Sequence, residues 1–485
     1  MDYESVIGLE VHAQLATESK IFCGCTTEFG GDPNTHGCPV CLGMPGVLPV
    51  LNRKVVDYAL RMALAVGSEI QPRSRFLRKN YFYPDLPKGY QISQYQSETE
   101  PPLAIGGGIE ITANGTEKTI RLRRVHMEED AGKSVHDEAY VRENESMVDV
   151  NRCGVPLLEI VTEPDIRSPE EAYQYLTKLR EILIYLGICE GNMEEGNIRI
   201  DTNISIRPVG ASELGTLAEI KNMNSFRNVL RALEYERERQ ISVLEAGGEV
   251  MHETLQWNPD RNATSPMRSK EYSEDYRYFP EPDLVPVEVE QSWIDEVRTQ
   301  IPELPEEKRA RFVREYGLRE YDAEVLVASR DVAEYYEQCV AEGADPTHVS
   351  NWVMGDVLRE LRERDADIRS FQVRPGGLAE MIRMIEDGTI SGKIAKAVFE
   401  EMANTGDGPK TIVERQGLVQ ITDEGSIAAT TASILADHPD EVERYRSGQK
   451  KLIGFFVGQV MKATKGKANP KMVNELLRQK LETGG

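Results

Sequence analysis

The sequence predicts an α+β protein: a large, mainly antiparallel β-rich N-terminal region with interspersed helices, followed by all-α helical and tail regions. Three observations predict it. Residues 1 to about 290 place apolar side chains with period two, the repeat of a strand. From Glu306 onward the spacing becomes i, i+3, i+4, the repeat of an amphipathic helix. Between the two, prolines gather at 280, 282, 286, 302 and 305, which breaks both patterns.

In the first strand, Ile7, Leu9, Val11, Ala13 and Leu15 share one face, and Glu10, His12 and Gln14 share the other. Asn114-Gly115 between Ile109–Ile111 and Thr119–Leu122 signals a hairpin. Further strands fit Val155–Val161, Arg199–Arg207 and Leu217–Met223. Ser168-Pro169-Glu170-Glu171 supplies a capping serine, a proline at the first helical position and a glutamate three residues after the cap. Ala172, Leu176, Leu179, Leu183 and Leu186 then line one face up to Gly187. A second helix, Val229–Leu244, stops before Gly247-Gly248. Beyond the prolines, helices are expected over 306–316, 322–342, 350–363 and 377–387, with a further boundary near Asn404–Pro409. The expected domains are 1–290, with an insertion at 23–41, then 291–405 and 406–485.

The 485 residues are 28% charged and 40% hydrophobic, as in a soluble globular chain. No apolar run approaches the ~20 residues that span a bilayer, and MDYESVIGLEVH lacks the apolar core of a signal peptide. A cytoplasmic location without membrane attachment is expected. The net charge of −24 argues against a surface that binds nucleic acid everywhere. The charge is uneven, however. Residues 445–485 hold nine Lys/Arg against two Glu, a net +7 that leaves −31 for the rest.

Seven cysteines, an odd count in a chain with no export signal, indicate reduced thiols. Cys23-x-Cys25, twelve residues and then Cys38-x-x-Cys41 form two close pairs suited to tetrahedral Zn²⁺. Four thiolates leave no position for substrate, so such a zinc is structural. Cys153, Cys189 and Cys339 are isolated and expected simply to pack.

A second group is acidic. Glu10 and His12 project from the polar face of the first strand, and Glu159 interrupts the otherwise apolar run Val155–Val161. A carboxylate in such a strand must be paired, protonated or bound to a cation. His126-Met127-Glu128-Glu129-Asp130 adds three consecutive acids, and alternation alone leaves open which of Glu128 and Glu129 joins the group. Carboxylates with an imidazole and no thiolate suit a hard ion such as Mg²⁺. No G-x-x-x-x-G-K-[ST] phosphate loop occurs, and Gly106-Gly107-Gly108 reads as a hairpin connection. Lys79, Lys88 and Lys221 are the candidate phosphate-binding cations, and Arg199, Asp201, Asn203, Ser205 and Arg207 make one polar strand face.

Five segments carry a resemblance: Val6–His12, Arg78–Asp85, His126–Lys133, Asp275–Asp283 and Gly458–Lys462. Together they resemble the B subunits of the bacterial tRNA-dependent amidotransferases, and the likeness runs essentially end to end. The resemblance implies an N-terminal "cradle" kinase domain. With ATP it would phosphorylate the side-chain carboxylate of Glu or Asp misacylated onto tRNA(Gln) or tRNA(Asn), and ammonia would convert the acyl phosphate to the amide. It places Mg²⁺ on Glu10, His12, Glu129 and Glu159, and assigns tRNA contact to the helical and tail domains. Zinc is not uniform in the family. The chain lacks the Ser-Ser-Lys amidase signature, so ammonia must come from partners: an amidase, the A subunit, together with a small C subunit. The competing readings are a non-catalytic tRNA-binding scaffold and a small-molecule carboxylate–amine ligase. ATP hydrolysis dependent on charged tRNA separates the three.

Overall fold

The period-two alternation at the N-terminus becomes strand β1 (Tyr3–Gln14), with Ile7, Leu9, Val11 and Ala13 buried and Glu10, His12 and Gln14 half-buried opposite them. In this computed structural model, residues 2–95, 100–113, 115–135, 145–269, 276–418, 424–464 and 468–482 are described. The chain divides into two compact units, 1–305 and 306–485.

In chain order, the first unit continues with α1 (Arg53–Ala65), β2 (Leu77–Asn80), β3 (Tyr90–Ser93), β4 (Gly108–Ala113), β5 (Thr116–Glu129), β6 (Pro156–Thr162) and α2 (Pro169–Tyr185). It goes on through β7 (Ile198–Pro208), β8 (Ala218–Lys221), α3 (Phe226–Glu245), β9 (Glu253–Asn258), β10 (Ala263–Ser269) and β11 (Phe279–Pro280). One large sheet runs in the order β10-β9-β8-β7-β1-β6-β5-β3-β2-β11, with β4 paired to β5. Every pairing along it is antiparallel except β8 with β9. The α+β expectation therefore holds. The hairpin forms around Gly115, while Asn114 lies outside the described residues.

The apolar face of the sheet packs on α1, α2 and α3 in one continuous core, which includes Leu9, Val11, Met127, Leu158, Ile160, Leu60, Leu176 and Leu233. The capping serine of α2 behaves as its sequence indicates, Ser168 Oγ accepting from Glu171 N at 3.2 Å. The first unit extends past residue 290 because the helix Gln291–Arg298 docks on α1, Trp293 Nε1 donating to Asp57 at 2.7 Å.

The second unit is helical. The span expected as one helix over 322–342 is two, Glu320–Val327 and Arg330–Ala341, because Ser329 is extended (φ −128°, ψ 128°). The helix expected over 350–363 contains a π-turn at Val353–Val357 around Gly355. Near the C-terminus, Glu424–Asp437, Ile453–Ala463 and Pro470–Glu482 share a core of Ile427, Tyr445, Phe456, Val460, Val473 and Leu477. Among the described residues, no helix is long and apolar enough to cross a membrane.

Candidate active site

Register decides which side chains meet. His12 on β1 stands opposite Glu159 on β6 and Arg199 on β7, Glu159 stands opposite His126 on β5, and Glu10 opposite Asp201 on β7. One polar row therefore crosses four adjacent strands on the face turned away from the core. His12 Nε2 lies 3.3 Å from Glu128 Oε1, 3.5 Å from Glu159 Oε2 and 3.7 Å from Glu10 Oε1. His126 Nε2 lies 3.4 Å from Glu159 Oε2, and Ser93 Oγ donates to Glu128 at 3.0 Å. Arg124 ties the far side, donating to Glu159 Oε1 at 2.7 Å. A separate pair, Arg199 with Asp130 at 2.9 Å, borders the row, and Gln14 donates to the same carboxylate at 3.0 Å.

The electrostatics are those of a crowded acidic site. Burial opposes charge on His12, but hydrogen bonding to Glu128 and Glu159 outweighs it and lifts the imidazole well above the usual histidine range. Burial likewise disfavours ionised Glu159, yet His126 and His12 hold it well below the carboxylate range. Glu128 is lowered in the same way, with His12 and His126 overcoming burial. Glu10 moves up, through burial and then the neighbouring charge of Glu159. The two imidazoles thus favour the ionised forms of Glu128 and Glu159, while burial and Glu159 disfavour that of Glu10. Glu10, His12 and Glu159, and likewise His126, Glu128 and Glu159, each bring ligand atoms within 4.8 Å of one another. Such an oxygen-rich donor set fits a hard divalent cation.

The resemblance points to Glu129, and the structure brings Glu128 instead. Because β5 continues through Glu129, strict alternation puts His126 and Glu128 on the polar face. Glu129 goes with Val125 and Met127 to the other. There its carboxylate pairs with Lys88 and accepts the N–H of Ile92 at 2.7 Å. Burial raises Glu129 against the pull of Lys88. The pair lines a cavity of about 190 Å³ with Cys23, Cys41 and Tyr90.

The three candidate lysines consequently differ. Lys79 faces the acidic row: burial works against its charge, but Glu128, followed by Tyr278 and Glu159, more than compensates. Lys221 pairs with Asp201 and lies 3.1 Å from Glu219, continuing the row on β8. Lys88 belongs to Glu129. The row also contains His126, Arg124 and Ser93, which the sequence pattern does not single out. The one signal for His126 is its parity with Glu128, and Arg124 and Ser93 leave none.

Cys23, Cys25, Cys38 and Cys41 converge, with all four Sγ atoms within 4.8 Å of one another, the closeness a tetrahedral metal requires. All seven cysteines are free thiols. Cys41 Sγ accepts the N–H of Cys38 at 3.1 Å, and hydrogen bonding with Cys23 draws its thiol down to about 4. Burial pushes Cys25 up to about 11. Lys20 is fully buried, its Nζ 2.6 Å from the His36 carbonyl and 3.9 Å from Cys41 Sγ, a cation placed against thiolate charge. Cys153, Cys189 and Cys339 are buried elsewhere.

A family model described as "GatB/GatE catalytic domain" matches residues 5–295, and one described as "GatB domain" matches residues 334–481. The B subunit of the aspartyl/glutamyl-tRNA(Asn/Gln) amidotransferase of Thermodesulfovibrio yellowstonii is 56% identical over 477 residues, 98% of this chain and 99% of that relative. Its counterpart in Thermoanaerobacter sp. is 54% identical over 481 residues, covering 99% and 100%. That of Geobacter sulfurreducens is 55% identical over 482 residues, again 99% and 100%. The chain belongs to the GatB family, with the acidic row inside the segment that matches its catalytic domain.

Proposed function

We propose that this chain is the component of a tRNA-dependent amidotransferase that activates the side-chain carboxylate of Glu or Asp esterified to tRNA(Gln) or tRNA(Asn). The observation that carries this reading is the convergence of Glu10, His12, Glu128 and Glu159 on one sheet face, flanked by Lys79 and Lys221. A carboxylate does not acylate ammonia. Transfer of the γ-phosphoryl group of ATP forms a carboxyl–phosphate bond and releases ADP. Ammonia then adds to the carbonyl carbon and loses a proton, and phosphate departs with the former carboxylate oxygen.

Phosphoryl transfer asks a protein mainly for positioning and charge neutralisation. Glu10, His12, Glu128 and Glu159 would hold Mg²⁺, which when bound neutralises phosphate charge. Lys79 and Lys221 would take phosphate oxygens at either end of the row. The cysteine quartet would hold a structural zinc outside the chemistry. Ammonia would come from a glutamine-hydrolysing amidase, the A subunit, with a small C subunit completing a heterotrimer. The direct test is whether ATP is cleaved only when tRNA carries Glu or Asp. Cleavage without tRNA would favour a small-molecule ligase, and no cleavage at all would favour a scaffold.

The basic segment from Tyr445 onward is read as a tRNA-phosphate surface, because its cations are gathered while the rest of the chain is acidic. Of the lysines between 462 and 471, Lys465 and Lys467 lie outside the described residues, and Lys462 and Lys471 are exposed. Truncation before Tyr445 would cut through the core that Tyr445 shares with Ile427 and Leu477, so charge removal is the cleaner probe. Alanine at Lys451, Lys462 and Lys471 is expected to weaken tRNA binding. It should also flatten the log–log salt dependence by about 0.7–0.9 for each phosphate no longer neutralised. Parallel salt slopes for mutant and parent would remove the tail from the interface.

A further inference from the structure

Five tyrosines drawn from three distant segments form an unbroken run of rings beside the acidic row. Tyr95 and Tyr278 stack, with centroids 4.4 Å apart and planes 15° from parallel. Tyr278 meets Tyr276 at 6.0 Å, Tyr276 meets Tyr81 at 6.2 Å, and Tyr81 meets Tyr83 at 6.0 Å. None of the five belongs to the hydrophobic cluster beneath the sheet, and Tyr83 and Tyr95 are 56% and 40% exposed. Core packing therefore does not account for them. Lys79 stands inside the run, its Nζ 4.9 Å from the Tyr276 centroid and 6.0 Å from that of Tyr81, with Glu128 and Glu159 the acids that answer its charge. The run thus reaches the surface at both ends, and Lys79 joins its middle to the acidic row.

We propose that this tyrosine run is the subsite for the unpaired 3′-terminal nucleotides of the charged tRNA, with Tyr276 and Tyr278 taking the terminal base. The inference rests on the proposed reading of the acidic row and adds where that substrate's 3′ end lies. In an aminoacyl-tRNA the amino acid is esterified to the terminal ribose, so only the amino acid's own length separates the reacting carboxylate from the last nucleotide. Whatever holds that base must border the acidic row, and the tyrosines do. Successive aromatic rings interleaved with a cation are how proteins bind single-stranded nucleic acid, since every base offers a π-face.

The experiment uses the assembled amidotransferase with ammonia as nitrogen donor, and measures KM separately for charged tRNA and for ATP. Tyr278→Ala is expected to raise KM for charged tRNA about tenfold, the size of one base–ring stack, while KM for ATP stays put. Tyr278→Phe, which keeps the ring, should restore tRNA affinity. Should the alanine variant fail to fold, a short single-stranded RNA with the tRNA 3′ sequence provides the second measurement. It should inhibit the wild-type complex competitively against charged tRNA and not against ATP. A rise in KM for ATP instead would give the rings to the nucleotide base. Dissociation of the complex would give them to a protein partner. Unchanged constants, or an RNA that does not compete, would leave the rings without a nucleic acid. Each of these overturns the proposal. A wild-type complex that amidates no tRNA would instead overturn the reading of the acidic row, and is told apart by the control alone.

Discussion

Glu159→Gln is expected to lower ammonia-dependent amidation of charged tRNA by on the order of a hundredfold to a thousandfold, the usual loss when one electrostatic stabiliser of a charged transition state is removed. The substitution keeps the shape of the side chain and removes the charge shared by His12, His126 and Arg124. A neutral amide is also a poorer ligand than a carboxylate for a hard cation. Because ammonia is supplied directly, a defect in a partner's glutamine hydrolysis cannot mimic the result. Breaking one side of a buried charge network can cost about 3–5 kcal/mol of stability, so the melting temperature must be recorded alongside. Binding of charged tRNA should be nearly unchanged. Full amidation activity in a folded Glu159→Gln protein would remove the acidic row from the reaction.

Replacing Cys38 and Cys41 with serine is expected to remove about one bound zinc per chain and to lower thermal stability. Apart from isolated bridges, the segment from Phe22 to Asn52 has no helix or strand of its own. Hydrogen bonds such as Asn34 Nδ2 to the Val148 carbonyl at 3.1 Å and His36 N to Asn151 at 2.8 Å fasten it to the neighbouring loop. With so little packing, four sulfur–metal bonds would be its principal cross-link. Structural zinc contributes roughly 10–16 kcal/mol of apparent binding energy in small fingers. Even ~3 kcal/mol of that coupled to unfolding would lower Tm by roughly 6–12 °C. Turnover per folded molecule should change little, since the cysteines lie off the polar row. Purified parent protein with no zinc by elemental analysis would contradict the assignment.

The parts of the site that are legible in the sequence are those where a strand's period is long enough to fix its faces. The alternation along β1 assigns Glu10 and His12 to the face opposite Ile7, Leu9 and Val11. A lone carboxylate in the apolar run of β6 marks Glu159. Between Glu128 and Glu129 the local pattern is ambiguous, because the choice depends on whether the strand persists to its last residue, and pairing of Glu129 with Pro156 makes it persist. Lys88 proves to be an ion-pair partner rather than a cation of the acidic row for a related reason: Glu129 is distant in sequence and on the opposite face. The helix break at Ser329 and the π-turn at Val353–Val357 fall inside spans whose apolar spacing reads as continuous helix, so spacing alone does not reveal them. The tyrosine run has no periodic signature at all, since residues 81–83, 95 and 276–278 meet only after β2, β3 and β11 are assembled.

If the acidic row directs a phosphoryl group onto the side-chain carboxylate of the tRNA-bound amino acid, an oxygen of that carboxylate must leave with phosphate when ammonia displaces it. The decisive measurement is therefore the charged-tRNA-dependent ATP reaction run with ¹⁸O in both oxygens of that side-chain carboxylate. One ¹⁸O is expected in the inorganic phosphate for each amide formed, with label transfer and amide lost together in Glu128→Gln. Amide formation accompanied by unlabelled phosphate would contradict phosphoryl transfer to the carboxylate outright.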